Sequence, residues 1–229
     1  MCSATGNQEI EAKNSIDDFG CLKSPFDFDS EIQYLTIIGS IEGHNVLAPD
    51  IKTTKYENMI PQLIAVQENP RIRGLLVVLN TVGGDVEAGL ALAELMASLT
   101  KPVVSIVLGG GHSIGIPLAT AADYSFIAPS AAMTLHPIRM NGFVIGAEQT
   151  YDYFRRMQER ITDFIVRTSG AERKTVLELM NSRDDMANDV GTILYGKDAV
   201  ESGLIDRVGG LADALKKLRE LTGAGAAEA

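Results

Sequence analysis

GLLVVLNTVGGDVEAGLALAELMASLTKPVVSIVLGGGHSIGIPLATAA, residues 74–122, decides the fold. Its two apolar runs, LLVVL at 75–79 and VVSIVL at 103–108, are unbroken, and each ends in clustered glycines. Continuous apolar strands are what a parallel sheet covered on both faces requires. Between them DVEAGLALAELMASL predicts a helix, with Asp85 and Glu87 suiting its positive first turn. Lys101-Pro102 ends it. A second helix is predicted from SIGIPLATAA, where Pro117 falls in the first turn and is tolerated there. Strand, helix, strand, helix in this order makes an α/β fold with right-handed crossovers.

The same rhythm extends outward. EIQYLTIIGSIEG (31–43) reads as a buried strand and a turn. YENMIPQLIAVQENP (56–70) is helical, with Met59, Leu63 and Val66 three or four apart and Asn69-Pro70 as its stop. YSFIAPSAAMTLHPIRMNG (124–142) gives two short strands around Pro129. GAEQTYDYFRRMQERITDFIVRTSG (146–170) is one long helix with an apolar stripe at Phe154, Met157, Ile161 and Phe164. Its stripe suits the core. Its length and interleaved charges suit a helix that projects towards a neighbouring subunit. TVLELMNS (175–182) is a shorter helix, and TILYGKDAVESGLIDRVGGL (192–211) closes the fold. One domain, 31–219, is expected between a flexible N-terminal arm, 1–30, and a flexible C-terminal tail, 220–229. The arm has a rival reading as a segment that orders on a partner.

The chain has 229 residues, 45% hydrophobic and 22% charged, with a net charge of −10. The acidic balance argues against nucleic acid, whose phosphates need a basic face. Two cysteines, Cys2 and Cys21, make no disulfide framework and fit a reducing compartment. The first residues lack the basic start and apolar stretch of a secretory signal. No run reaches the roughly 18 apolar residues of a membrane span. A cytoplasmic location is expected, with no integral membrane segment, no cofactor and no metal.

GGGHSIG, residues 109–115, places a serine at a strand-to-helix turn. It lacks the GK[ST] ending of a phosphate loop, and its glycine spacing misses the dinucleotide fingerprint. Gly111-His112-Ser113-Ile114-Gly115 does match G-x-S-x-G, a nucleophile elbow. Small neighbours let the hydroxyl project, and the next backbone N–H can face an oxyanion. A tight turn with an incidental serine remains the plain alternative. An α/β-hydrolase needs serine, acid, then histidine, and of the three histidines only His136 follows the serine, 23 residues on. That leaves no room for such an order, whereas serine, histidine, then acid stays open. His136 stands at a strand end before Pro137, a reasonable place for a base. His112 adjoins the serine and reads as a local hydrogen-bonding residue, and His44 as a surface residue.

The stretches LNTVGGDVEAGLALAELMASLTKPVVSIVLGGGHSIG, AAMTLHPIRMNG and GKDAVESGLID together resemble the proteolytic subunit of the Clp protease, over about residues 34–210. Within that superfamily the chain is most similar to the translocation-enhancing proteins of spore-forming Gram-positive bacteria, through KTTKYENMIPQ and the long helix as well. The resemblance implies a ClpP/crotonase-like fold of repeated β-β-α units with a projecting long helix. It implies Ser113 as nucleophile, His136 as general base, and the N–H groups of Gly84 and Ile114 as an oxyanion hole. Gly84 precedes Ser113 by 29 residues, the spacing the resemblance predicts. Two positions depart from the pattern. Val82 stands where a proline usually precedes the paired glycines, and Gly191 stands where Clp subunits carry the triad acid. Asp189 is the preferred substitute acid, ahead of Asp184 and Asp185; a solvated-loop role for Asp189 and a serine–histidine dyad stay open.

The resemblance implies a serine endopeptidase that cleaves peptides or unfolded chains through an acyl-enzyme, alone or assisted by a partner. It implies a homo-oligomer, heptameric or of stacked rings, and a possible AAA+ unfoldase. A weak or inactive assembly protein acting in export or sporulation is the alternative. A crotonase-like acyl-CoA enzyme shares the fold and the paired N–H donors, but Ser113 and His136 favour the peptidase.

Overall fold

The computed structural model describes residues 30–139, 145–183 and 190–223. Asp184, Asp185 and Asp189 lie outside them, as do the arm before residue 30 and the tail after 223. β1 (Ile32–Glu42), β3 (Gly74–Gly84), β4 (Val103–Gly111) and β5 (Tyr124–Ile127) lie side by side and parallel. β2 (Thr53–Lys55) pairs with β1 at one edge, and β8 (Arg207–Val208) pairs with β5 at the other. Off this path, β6 (Ala132–Leu135) pairs with β4 through Gly110 and Ala132, and β7 (Thr192–Tyr195) runs antiparallel to β6. This is the α/β architecture that the apolar runs predict, and it is consistent with the ClpP-like fold that the resemblance implies.

The two central strands are buried on both faces, as their unbroken apolar sequence requires. On one side they meet α1 (Tyr56–Glu68), α2 (Val86–Ala97) and α3 (Gly115–Thr120) in a core that includes Leu35, Leu63, Leu75, Leu79, Leu92 and Ile116. Each such side chain removed from water contributes roughly 1.5–3 kcal/mol before chain entropy is set against it. On the other side α7 (Leu211–Thr222) lays Ala214 and Leu218 over Leu76, Val104, Ile106 and Phe126.

Local signals place the elements. Met59, Leu63 and Val66 are the buried residues of α1, which tolerates Pro61 inside it. Asp85 is the N-cap of α2 rather than a first-turn residue. Its carboxylate accepts the Ala88 N–H at 2.9 Å, a contact worth about 1 kcal/mol. α3 is only six residues long. The long helix is α4 (Ala147–Thr168). Met157 and Phe164 of the predicted stripe are buried, whereas Phe154 and Ile161 are half-buried. Arg160 and Arg167 form ion pairs with Glu87 and Glu94 of α2, while Tyr151 and Tyr153 near its start are exposed. α5 (Arg173–Asn181) and α6 (Gly196–Glu201) complete the described helices.

Candidate active site

β4 ends at Gly111, and the chain turns through His112, Ser113 and Ile114 into α3. Ser113 has φ of 56°, the left-handed conformation, alone among the described non-glycine residues. Such a backbone costs about 1–3 kcal/mol and persists only where its surroundings enforce it. Here they do. The Ser113 N–H donates to the Thr134 carbonyl at 2.9 Å, and the His112 N–H donates to the Thr81 carbonyl at 3.2 Å. The Ile116 N–H closes the turn on the Ser113 carbonyl at 3.0 Å. The elbow is therefore clamped between the ends of β3 and β6.

The Ile114 N–H meets no acceptor among the described residues. Beside it runs the end of β3. A methyl group on Gly83 would lie 2.7 Å from Ser113 Cβ and 3.3 Å from Ser113 Oγ, so the TVGG main chain passes directly under the serine. Thr81 shapes that passage: its hydroxyl donates to the Gly39 carbonyl at 2.6 Å and accepts the Gly83 N–H at 3.0 Å. Gly84 has φ of 152°, and a methyl there would fall onto the Ile41 carbonyl and within 2.6 Å of the Ile41 nitrogen. Only glycine lets β3 bring its last peptide units between β1 and the elbow.

His136 follows the last residue of β6, two positions after the carbonyl that holds Ser113. Strand and elbow are thus locked in register. Among the described residues no hydrogen bond joins Ser113 Oγ to His136. The His136 Nδ1 instead meets the Pro137 carbonyl at 2.6 Å. His112 does not serve as the partner of Ser113. Its Nδ1 pairs with the Thr134 hydroxyl at 2.8 Å, the local role its position predicts. Thr134 is therefore gripped twice, through its carbonyl and through its hydroxyl.

Burial, and then repulsion from His136, hold the His112 imidazole below its ordinary value of 6.5. Because the folded state resists protonation, the stability tied to His112 is full above that value and lost as pH falls through the lower folded one. Urea unfolding midpoints of wild type should therefore drop more steeply below pH 6.5 than those of His112→Asn, whose amide can still meet Thr134. Parallel curves would remove His112 from the acid limb.

The site thus joins a strained serine after an apolar strand, an N–H at its back, a glycine pair beneath and a histidine that follows the adjoining strand. The sequence profile of the Clp protease matches residues 33–211. The chain belongs to the Clp protease family. It is 55% identical to the translocation-enhancing protein TepA of Halalkalibacterium halodurans over 192 residues, 84% of this chain and 75% of that one. It is 26% identical to ATP-dependent Clp protease proteolytic subunit 1 of Chlamydia muridarum, over 58% of this chain and 69% of that protein. The proteolytic subunit of Leuconostoc citreum is 23% identical, over 64% and 76%.

In this Clp family member the Ser113 N–H is held by Thr134, two residues before His136, and Gly83, beside Gly84, lies against the Ser113 side chain. Asp189, the expected acid, lies outside the described residues. Gly191 is described, and it is pressed against His136: a methyl there would lie 2.8 Å from His136 Cβ and 2.5 Å from the Leu135 carbonyl oxygen. Thr81 and Thr134 were not singled out by the sequence. The one available signal is that each is a polar residue at the end of a buried strand, and both are spent on fixing the elbow. Among the described residues no group of histidine, cysteine and carboxylate side chains could hold a metal. No described helix is long and apolar enough to cross a membrane.

Proposed function

We propose that the protein is a serine endopeptidase of the Clp type, acting on peptides or unfolded chains. Ser113 Oγ attacks the scissile carbonyl carbon as His136 Nε2 takes its proton. The carbonyl oxygen becomes an oxyanion that the Gly84 and Ile114 N–H groups stabilise. The tetrahedral adduct collapses, the C–N bond breaks, and His136 returns the proton to the leaving amine. Water, deprotonated by His136, then attacks the acyl carbon, and Ser113 Oγ leaves with that proton. The single observation that carries this reading is Ser113 in a left-handed conformation within reach of both the glycine pair and the His136 strand. Catalytic hydrogen bonds often tighten only when substrate is bound, so the reading does not require Ser113 and His136 to be bonded beforehand. A homo-oligomeric ring, a cytoplasmic setting and assistance by an unfoldase ATPase belong to the same proposal, on family likeness.

A fluorophosphonate probe tests it. The serine should displace fluoride, and mass spectrometry of the wild-type oligomer should find the phosphonyl group on Ser113, with none in Ser113→Ala. A folded, assembled wild type that stays unlabelled would overturn the reading and favour an inactive assembly protein, the role that glycine at position 191 supports.

A further inference from the structure

Position 191, where the resemblance implies a triad acid, has no room for one. Gly191 has φ of 129°, and its N–H is held by the Ser182 carbonyl at 2.9 Å. The Leu135–Thr192 pair is the last rung of the β6–β7 ladder, so the next residues on each side, His136 and Gly191, lie back to back. Any side chain at 191 would push His136 off its strand, since even a methyl would meet His136 Cα at 3.0 Å. The sheet brings bare main chain up to the imidazole in place of a carboxylate.

The imidazole has nevertheless found a partner. His136 Nδ1 and the Pro137 carbonyl oxygen are 2.6 Å apart. A carbonyl only accepts, so this bond exists only with the proton on Nδ1. A neutral ring so protonated leaves the Nε2 lone pair free, which is the tautomer a general base needs. In a serine–histidine–aspartate triad, fixing that tautomer is a main task of the acid. Pro137 suits the part for two reasons. Its ring fixes its own φ, and it holds the preceding residue, His136, to an extended backbone. The carbonyl and the ring it orients are thus joined by a stiff dipeptide.

We infer that the Pro137 main-chain carbonyl is the third member of the catalytic array, positioning His136 through Nδ1 where a carboxylate would otherwise stand. The inference rests on the serine-hydrolase reading. The carbonyl sets the tautomer but, being uncharged, stabilises the imidazolium less than a carboxylate would, so a working but slower base is expected.

The test joins nitrogen-15 NMR of the histidine-labelled oligomer with probe kinetics. The expected spectrum assigns His136 to the Nδ1–H form, and Asp184→Asn, Asp185→Asn and Asp189→Asn each keep both that tautomer and the labelling rate. Pro137→Gly, which frees the carbonyl, should mix the tautomers and slow labelling while Ser113 remains the labelled residue. The inference is overturned if His136 is Nε2–H in wild type. It is equally overturned if one aspartate variant loses labelling by about the 10⁴-fold that a wrong tautomer costs in a worked triad, which would name that aspartate as the acid. A wild type that never labels sinks the peptidase reading, and the NMR result still decides whether His136 carries its proton on Nδ1, as the bond to Pro137 requires.

Discussion

His136→Ala is expected to react with a fluorophosphonate on the order of 10⁵- to 10⁶-fold more slowly than wild type, while keeping its fold. In a worked serine hydrolase, loss of either the nucleophile or its base removes nearly all of the array's joint contribution, about 10⁶ in turnover. On the proposed mechanism the same arithmetic applies here, because neither of the other two histidines is placed to replace His136. His112 is committed to Thr134, and His44 lies against Tyr56, away from the elbow. The fold should survive because His136 is only half-buried and the clamp on Ser113 uses the Thr134 carbonyl, not the histidine. The measurement is the second-order labelling constant, with circular dichroism as the control. Labelling of His136→Ala at the wild-type rate would sink the assignment and turn suspicion on His112, whose alanine variant should then be silent.

Gly84→Ala should fail in two ways at once. The added methyl has nowhere to go, because the Ile41 main chain already occupies the space. That main chain cannot retreat, since the Ile41 carbonyl accepts the Asp85 N–H at 2.9 Å and β1 is paired with β3 along its length. Forcing the strands apart in a packed core costs about 1–3 kcal/mol, with a further 1–3 kcal/mol for an alanine at a glycine-only φ. A large fall in melting temperature is the first expected readout. The second is chemical: displacing one oxyanion donor costs roughly 10²–10³ in rate. The labelling constant of whatever fraction remains folded should fall by that factor, measured below the variant's own melting transition. An unchanged constant would take Gly84 out of the oxyanion hole.

What the sequence disclosed and what it hid divide along a physical line. Apolar runs, helical spacing and caps are local, so LLVVL, VVSIVL and Met59–Leu63–Val66 announce their elements without knowledge of the fold. The elbow is local too: five consecutive residues carry it. Thr134 is different. Nothing in AMTL marks it as the residue that holds Ser113, because that contact depends on β6 packing beside β4. Gly191 is the same case in sharper form. As sequence it reads as a missing acid; packed against His136, it leaves no room for a side chain. The Pro137 carbonyl is invisible to any reading by side chain, since every residue has one.

The far face of the sheet has a consequence in time. The pairings around the elbow link strands about 20 to 40 residues apart, whereas β8 joins β5 across 81 residues, Phe126 to Arg207. Chain closure over longer loops costs more entropy, and synthesis delivers this segment after the elbow and its strands. A nascent chain can therefore assemble its elbow before α7 exists. Until that helix docks, Leu76, Val104, Ile106 and Phe126 present an oily sheet surface to the cell. The half-made protein, rather than the finished one, is the species that a chaperone must shield.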